Sequence, residues 1–355
     1  MERLKPFQLG IAAQLIQNYK GDQPFSSYFA AQCKLHRNWG SRDRKIYRQA
    51  CYTYFRLGYA ASGASIESIL QFSGQEVDAI LEQIPLADIF PHKQYLSTLI
   101  NSDEWMKHLL FQHPVYIAPR ENRINAITDY LNQSQIPFEK IDKAIKVKSD
   151  TNCKEIIDNG MGWIMDISSQ RAADSIEIAP NSQVWDCCSG AGGKSLYLSN
   201  KFKSQLYLTC SDKRFTILQN LKERFKLYGI HEPAIELCDL TSPFQLDKKF
   251  DIILADVPCS GSGTWGRTPE NITGTPLHKI GFYAELQKNI VRNALKNLKP
   301  GGRLYYVTCS VFSDENEANA HYFTENFSVI LKQQKYYHDS ANTSDWLFVA
   351  ELEKK

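Results

Sequence analysis

The 355-residue sequence lacks several features that would assign it to a class directly. It has no run of about 18 apolar residues, so a membrane-spanning helix is not expected. Its first residues lead into no apolar signal region, and we therefore expect a cytoplasmic protein with no membrane partner. The nine cysteines form no CxxC pair. We expect neither a metal site nor a disulfide framework, which leaves reduced thiols available for chemistry.

A strong excess of positive charge is also missing, because 41 basic residues face 39 acidic residues and the net charge is +2. The distribution along the chain is less even. Within residues 34–48, a single acid, Asp43, stands among the basic residues Lys34, His36, Arg37, Arg42, Arg44, Lys45 and Arg48. Such a cluster is able to contact RNA phosphates, although a solvated helix face explains it equally well.

Periodicity and composition divide the chain into three parts. Residues 1–110 show helical spacing of apolar residues, with Ser41 as a candidate helix cap, and predict a helical docking domain. Residues 111–165 show short strand and helix patterns, which predict a small α/β linking subdomain. In residues 166–355 strands and helices alternate, as is typical of a doubly wound, mostly parallel sheet. Residues 300–302, Pro-Gly-Gly, predict a turn within it.

Strand ends in the third part carry the residues of interest, because such sheets bind ligands beyond the carboxyl ends of their strands. Residues 186–194 form a glycine-rich turn that leads into a helix, so the backbone can approach a ligand closely. A nicotinamide, a flavin or no ligand at all would also fit this motif. Asp212 and Asp239 follow later strands and are candidate acceptors for a ribose and an adenine amino group. Either acid is also explained as an exposed loop residue.

Two cysteines at two further strand ends give the most specific signal. Cys259 follows the strand 250–255 within an Asp-x-Pro-Cys-Ser block, and Cys309 follows the strand 303–307 within a Thr-Cys-Ser block. A single cysteine at a strand end is usually a small core residue. Two cysteines that face one cleft, each within a polar block, indicate covalent chemistry.

These blocks resemble the RsmB/Nop/Sun family of RNA cytosine-5 methyltransferases over roughly residues 110–354. The family has an Asp followed by Cys-Ala-Ala-Pro-Gly-Gly-Lys, then the two cysteine blocks and a Glu-Asn-Glu run. The matching residues are Asp186 with 188–194, 256–260, 308–310 and 315–317. Two departures stand out: Ala191 replaces the family's proline, and Ile217 replaces an arginine expected after the acid at Asp212.

The resemblance implies a Rossmann-like methyltransferase fold, S-adenosylmethionine as cofactor and RNA as substrate, with ribosomal RNA favoured over transfer RNA. It implies a NusB-like RNA-binding domain in residues 1–110, and we expect a monomer. The implied cofactor-binding residues are Cys188, Ser189, Gly190, Ala191, Gly192, Gly193, Lys194, Asp212, Asp239 and Asp256.

Catalytic roles also follow from the resemblance. Carbon 5 of cytosine becomes nucleophilic when a thiolate adds to carbon 6, and Cys309 is implied as that thiolate. Cys259 is implied in product release. Asp256 fits an acid near N3, for which it must be protonated or share a proton. Lys194 is expected to orient these groups or to contact the base.

Three alternatives stay open. An RNA-binding assembly factor without catalysis is supported by Ala191 alone. A nicotinamide oxidoreductase accounts for the glycine turn but leaves Cys259 and Cys309 unexplained. A DNA cytosine-5 methyltransferase would place its nucleophile in the Pro-Cys block and would lack the cysteine of the Thr-Cys-Ser block.

Overall fold

A computed structural model describes residues 4–203, 205–244, 246–339 and 343–355. The chain divides into two compact units. The helical unit comprises Met1–Gln112 and Thr264–Leu277, and the α/β unit comprises His113–Gly263 and His278–Lys355. Among the helices of the described ranges, none is long and apolar enough to cross a membrane.

Helices and strands are numbered separately in chain order. The helices are α1 (Pro6–Asn18), α2 (Phe25–Leu35), α3 (Ser41–Arg56), α4 (Gly58–Ser62), α5 (Ile66–Leu70), α6 (Val77–Leu81), α7 (Leu86–Ile89), α8 (Ser102–His108), α9 (Ile124–Gln133), α10 (Lys154–Asp158), α11 (Ile167–Asp174), α12 (Gly193–Lys201), α13 (Phe215–Leu227), α14 (Asn271–Gly274), α15 (His278–Leu295) and α16 (Glu317–Asn326). The strands are β1 (Val115–Pro119), β2 (Phe138–Ile141), β3 (Ala144–Val147), β4 (Gly162–Ile164), β5 (Gln183–Asp186), β6 (Tyr207–Asp212), β7 (Ala234–Leu237), β8 (Phe250–Asp256), β9 (Leu298–Thr308), β10 (Val329–Tyr337) and β11 (Leu347–Lys354).

Helix α3 illustrates how the helical unit forms its core. Tyr47 and Cys51 are buried, at the spacing that places side chains on one face of a helix. The predicted cap at Ser41 is wrong, because Gly40 occupies the N-cap position and Ser41 is the first helical residue. The Gly40 carbonyl already accepts a hydrogen bond from the Arg44 amide at 3.0 Å, so the helical bonding begins one residue earlier.

The segment Thr264–Leu277 packs within the helical unit, whereas its place in the chain predicts that it belongs to the domain of residues 166–355. Trp265 is fully buried there among other aromatic rings. Glu270 Oε1 accepts a hydrogen bond from the backbone amide of Phe25, the first residue of α2, at 2.9 Å. Burial of a large indole and capping of a helix therefore anchor this segment in the helical unit.

Two sheets form the α/β unit. The linking region contains a four-stranded antiparallel sheet in the order β2-β3-β1-β4. The main sheet has seven strands in the order β10-β11-β9-β8-β5-β6-β7. Strands β5 to β9 pair in parallel, whereas β10 and β11 pair antiparallel at one side. The prediction of a doubly wound, mostly parallel sheet is confirmed.

Apolar clusters cover both faces of the main sheet, as a parallel sheet requires. Adjacent residues of β5 take opposite faces. Val184 belongs to the cluster that contains Leu221 of α13, and Trp185 belongs to the cluster that contains Val291 of α15. The strand ends, rather than the faces, are therefore the positions open to a ligand.

The predicted turn at residues 300–302 is instead a bulge inside β9. Phe250 of β8 pairs with Leu298, and Ile252 pairs with Arg303, so four residues of β9 lie opposite one residue of β8. Gly301 adopts a φ of +72°, which favours glycine and lets the strand continue after the bulge.

Candidate active site

The carboxyl ends of the parallel strands meet at one edge of the main sheet. Asp212 ends β6, Asp256 ends β8 and Cys309 directly follows β9. Together with Cys259 and Asp239 they line a single cleft of roughly 700 Å³, a size suited to a small organic ligand. The structure thus brings the acids and cysteines singled out in the sequence to one place.

The glycine-rich loop connects β5 to α12. The Ser189 amide donates to the carbonyl of Ser211 at 2.9 Å, and the Gly192 amide donates to the carbonyl of Ser189 at 2.8 Å, which closes a tight turn. Gly192 adopts a φ of +78°, and an added Cβ there would lie 2.8 Å from Leu221 Cγ. Glycine is therefore required at this position.

The outer side of the same loop offers space to a ligand. Beyond the adjacent backbone, a Cβ atom at Gly190 or Gly193 would meet no atom of the described residues within 4 Å. Cys188 is half-buried and lines the cleft. Arg224 Nη1 donates a hydrogen bond to the carbonyl of Ala191 at 2.5 Å. This bond holds the loop at the position where the family that the sequence resembles has proline.

Asp212 is nearly buried and holds a network of donors. Its Oδ1 accepts hydrogen bonds from the backbone amide and Nε of Arg214, both at 2.9 Å, and its Oδ2 accepts from the Gly190 amide at 3.2 Å. Burial works to raise the pKa of Asp212, but the bonds from Arg214 outweigh it, and the net pKa is lowered. Arg214 thus places a guanidinium beside this acid, although Ile217 stands at the expected position.

Asp239 lies in the loop after β7 and is exposed. Its Oδ1 accepts hydrogen bonds from the amide and the hydroxyl of Thr241, at 2.9 and 2.7 Å. These bonds lower the pKa of Asp239. Both candidate ligand acids therefore present carboxylates to the cleft, Asp212 from a buried position and Asp239 from the rim.

Lys194 and Asp256 form an ion pair between the glycine-rich loop and β8. Lys194 Nζ lies 2.6 Å from Asp256 Oδ2. Burial works to lower the pKa of Lys194, but the charge and hydrogen bond of Asp256 outweigh it, and the net pKa is raised. The pair therefore places a proton on an ammonium in direct contact with the Asp256 carboxylate.

The two cysteines lie side by side, with 3.3 Å between Cys259 Sγ and Cys309 Sγ. Both side chains are half-buried. The hydrogen bond to Cys309 is the largest cause that raises the pKa of Cys259 well above its ordinary value, followed by burial. Cys259 is therefore held as a thiol beside Cys309.

Asp186 and Glu315 lie in matched motifs, but the sequence indicated no role for either. Asp186 is buried and accepts a hydrogen bond from Ser195 Oγ at 2.6 Å. Burial, and then the charge of Asp256, raises the pKa of Asp186 from 3.8 to about 7. Glu315 is also buried and binds the loops of both cysteines. Their burial, which only the fold reveals, distinguishes them from ordinary motif acids.

The strand order, the antiparallel hairpin beside β9 and the glycine-rich turn after β5 define the Rossmann-like fold of the S-adenosylmethionine-dependent methyltransferases. Residues 174–345 match a family model described as 16S rRNA methyltransferase RsmB/F. This match spans just under half of the chain, and the similarity is to the RsmB/Nop/Sun family.

Two curated relatives and one solved structure illustrate this similarity. The tRNA (cytosine(72)-C(5))-methyltransferase NSUN6 of Mus musculus is 27% identical over 48% of this chain and 38% of its own length. The ribosomal RNA small subunit methyltransferase B of Xanthomonas campestris pv. campestris is 30% identical over 46% of this chain and 38% of its own length. The chain therefore matches less than half of the length of these two relatives.

The crystal structure of NSun6 from Pyrococcus horikoshii with SFG is 16% identical in sequence. It superposes with a TM-score of 0.62 and covers 71% of this chain and 94% of that chain. At this level of identity the likeness concerns the fold.

Proposed function

We propose that this protein transfers a methyl group from S-adenosylmethionine to carbon 5 of a cytosine in RNA, through a covalent bond between Cys309 and carbon 6 of the base. The contact between Cys309 and Cys259, beside the Lys194–Asp256 pair and in one cleft, is the observation that carries the proposal. A nicotinamide oxidoreductase would have no use for two adjacent thiols at this position.

The cleft fits the proposed cofactor. The open side of the loop at Gly190 and Gly193 provides room for close backbone approach, and Asp212 and Asp239 offer acceptors for hydroxyl and amino groups. Asp256 lines the same cleft, and Lys194 contacts it. When bound, S-adenosylmethionine supplies an electrophilic methyl group on a positively charged sulfur.

The residues of the chain activate and release the base. The Cys309 thiolate adds to carbon 6, which breaks the carbon 5–carbon 6 double bond and shifts electron density towards carbon 5 and N3. Asp256 takes a proton from the Lys194 ammonium across their hydrogen bond and passes it to N3 as that charge develops. After methylation, the carbon 5 proton passes to solvent and its electron pair re-forms the carbon 5–carbon 6 double bond as the carbon–sulfur bond breaks. Cys309 leaves as a thiolate, and N3 gives back its proton. Cys259 assists this release.

The helical unit is proposed to bind RNA as a NusB-like domain. Several basic residues predicted to contact phosphates are exposed: Lys34, His36, Arg37, Arg42 and Lys45. Arg44 Nε instead donates to the carbonyl of Trp39 at 2.9 Å, so this side chain supports the fold. Exposed basic side chains of this kind favour phosphate contacts over base reading.

Ribosomal RNA is the proposed substrate, with transfer RNA as the second candidate, because the relatives carry both substrates in their names. A cytoplasmic location is proposed because these relatives are named for the modification of ribosomal and transfer RNA. The base must leave its stack to reach the cleft, which favours loop or single-stranded cytosines.

Bisulfite sequencing of ribosomal and transfer RNA, from cells with and without the gene, tests this proposal. We expect one or a few cytosines to lose protection when the gene is deleted. Wild-type protein and the Cys33→Ala variant should restore protection, whereas Cys309→Ala should not; Cys33 is also half-buried but lies in the helical unit. Identical patterns with and without the gene would contradict the proposal and favour a non-catalytic assembly factor.

A further inference from the structure

One buried carboxylate joins the loops that carry the two cysteines. Glu315 lies in a short turn after β9 and is fully buried. Its Oε2 accepts a hydrogen bond from the backbone amide of Ser260 at 2.8 Å, and its Oε1 accepts from Ser310 Oγ at 2.8 Å. Ser260 directly follows Cys259 and Ser310 directly follows Cys309, so the carboxylate ties both loops together.

Hydroxyl groups and one helix complete this connection. Ser310 Oγ lies 3.1 Å from Ser260 Oγ and 3.3 Å from Ser262 Oγ. Gln287 of α15 donates from Nε2 to Glu315 Oε2 at 3.0 Å and to the Pro258 carbonyl at 2.9 Å. The loops are thus fixed to each other and to α15, on the side of the sheet where α15 packs.

Joining two loops through a buried carboxylate costs free energy. Desolvation disfavours its charged form, and burial raises the pKa of Glu315 although the bonds from Ser260, Ser310 and Gln287 work against it. An apolar side chain would fill the same volume without that cost. The carboxylate does two things that an apolar side chain cannot: it accepts three hydrogen bonds, and its negative charge is among the causes that raise the pKa of Cys259.

We propose that Glu315 is a positioning residue of the methyl-transfer reaction. Its carboxylate binds the residue that follows each cysteine and so fixes the separation of Cys259 and Cys309. This inference rests on the proposed function for its meaning in catalysis. The placement of the two thiols can be tested without RNA or cofactor.

The test compares Glu315→Gln with Asp314→Asn, which removes a charge from an exposed neighbour in the same turn. Glutamine keeps the size of the side chain but leaves only one oxygen to accept hydrogen bonds. We expect kcat of Glu315→Gln to fall by about ten- to a hundredfold, because small displacements of reacting groups have effects of this size. The KM values for RNA and S-adenosylmethionine should stay within about twofold. Asp314→Asn should match wild type.

Alkylation by iodoacetamide, followed by peptide mass spectrometry from pH 6 to 10, reports on the thiols themselves. Because thiolates react and thiols do not, loss of the Glu315 charge should make Cys259 react at lower pH than in wild type. An unchanged kcat, a loss confined to KM, or an unchanged pH profile of Cys259 would overturn the proposal. If wild type transfers no methyl group, the proposed function fails, while the alkylation result still decides the placement of the thiols.

Ser310→Ala provides a second variant in case Glu315→Gln does not fold. It removes one of the three donors to the carboxylate and keeps the charge. We expect a loss in kcat smaller than that of Glu315→Gln, with unchanged thermal unfolding. A kcat equal to that of wild type would count against the proposal as directly as the first variant.

Discussion

The two edges of the main sheet carry ion pairs of equal length in different surroundings. At the carboxyl edge, Lys194 Nζ lies 2.6 Å from Asp256 Oδ2, and the two side chains are 11% and 31% exposed. At the amino edge, Lys299 Nζ lies 2.6 Å from Asp251 Oδ1, and the side chains are 40% and 39% exposed. Both acids belong to β8. Burial and convergence of strand ends, rather than the ion pair itself, therefore distinguish the candidate active site.

The same contrast holds for single carboxylates. Asp186, at the carboxyl end of β5, is buried beneath the glycine-rich loop. Glu177, ahead of the amino end of the same strand, is exposed and pairs with Arg303 at 2.8 Å. Solvent screens the charges at the amino edge, so we expect the loss of an ion pair there to change stability and activity little. At the carboxyl edge the side chains are more buried, and we expect the loss of a partner to have a larger effect.

The largest difference between the edges is expected from the two acids of β8. Asp256→Asn removes the partner of Lys194 and the proposed proton donor, so kcat should fall by about 10²- to 10⁴-fold. Asp251→Asn breaks a pair of equal length and should keep kcat within about twofold. Steady-state methylation from pH 6 to 9 measures both. Comparable losses in the two variants would show that the pairs act only on stability.

A second difference concerns the dependence of stability on pH. The folded pKa of Asp186, about 7, exceeds its ordinary value of 3.8, so its contribution to stability is complete below 3.8 and is lost as pH rises to about 7. Between pH 5 and 8, wild type should lose roughly 2–3 kcal/mol relative to Asp186→Asn. Urea unfolding at both pH values measures this. A difference between wild type and Asp186→Asn that stays constant with pH would contradict this expectation.

The smallest expected effect compares two acids of the carboxyl edge, Asp212 and Asp239, in their contribution to cofactor binding. Asp212 is nearly buried and accepts several hydrogen bonds, whereas Asp239 lies at the exposed rim. Calorimetry with S-adenosylmethionine should show about tenfold weaker binding for Asp212→Asn and about threefold or less for Asp239→Asn, since buried charged acceptors contribute more. Equal weakening of S-adenosylmethionine binding in the two variants would indicate that burial does not determine how much each acid contributes.

Much of this edge could be predicted from strand patterns alone. Parallel strands end at the same side, so residues that follow them in sequence, such as Asp212, Asp256 and Cys309, must meet. The network of Glu315 could not be predicted, because its partner Ser260 lies 55 residues away and the contact depends on tertiary packing.

Other features also could not be predicted from the sequence. Trp265 is anchored in the helical unit because its indole is buried there. The residues around it in sequence do not predict this burial. The bulge at Gly301 resembles a turn in composition, and only its pairing with β8 distinguishes the two. Local signals thus located the chemistry, while long-range packing determined how its residues are held.

The division of roles between the two adjacent thiols is the central claim, and trapping of a covalent protein–RNA complex tests it most directly. Purified variants are mixed with cytosine-containing RNA and S-adenosylmethionine, denatured, and separated by size. Cys259→Ala should accumulate a stable adduct because release is blocked, whereas Cys309→Ala and the double variant should form none. An adduct in Cys309→Ala, or equal behaviour of the two single variants, would contradict the assignment of Cys309 as the nucleophile.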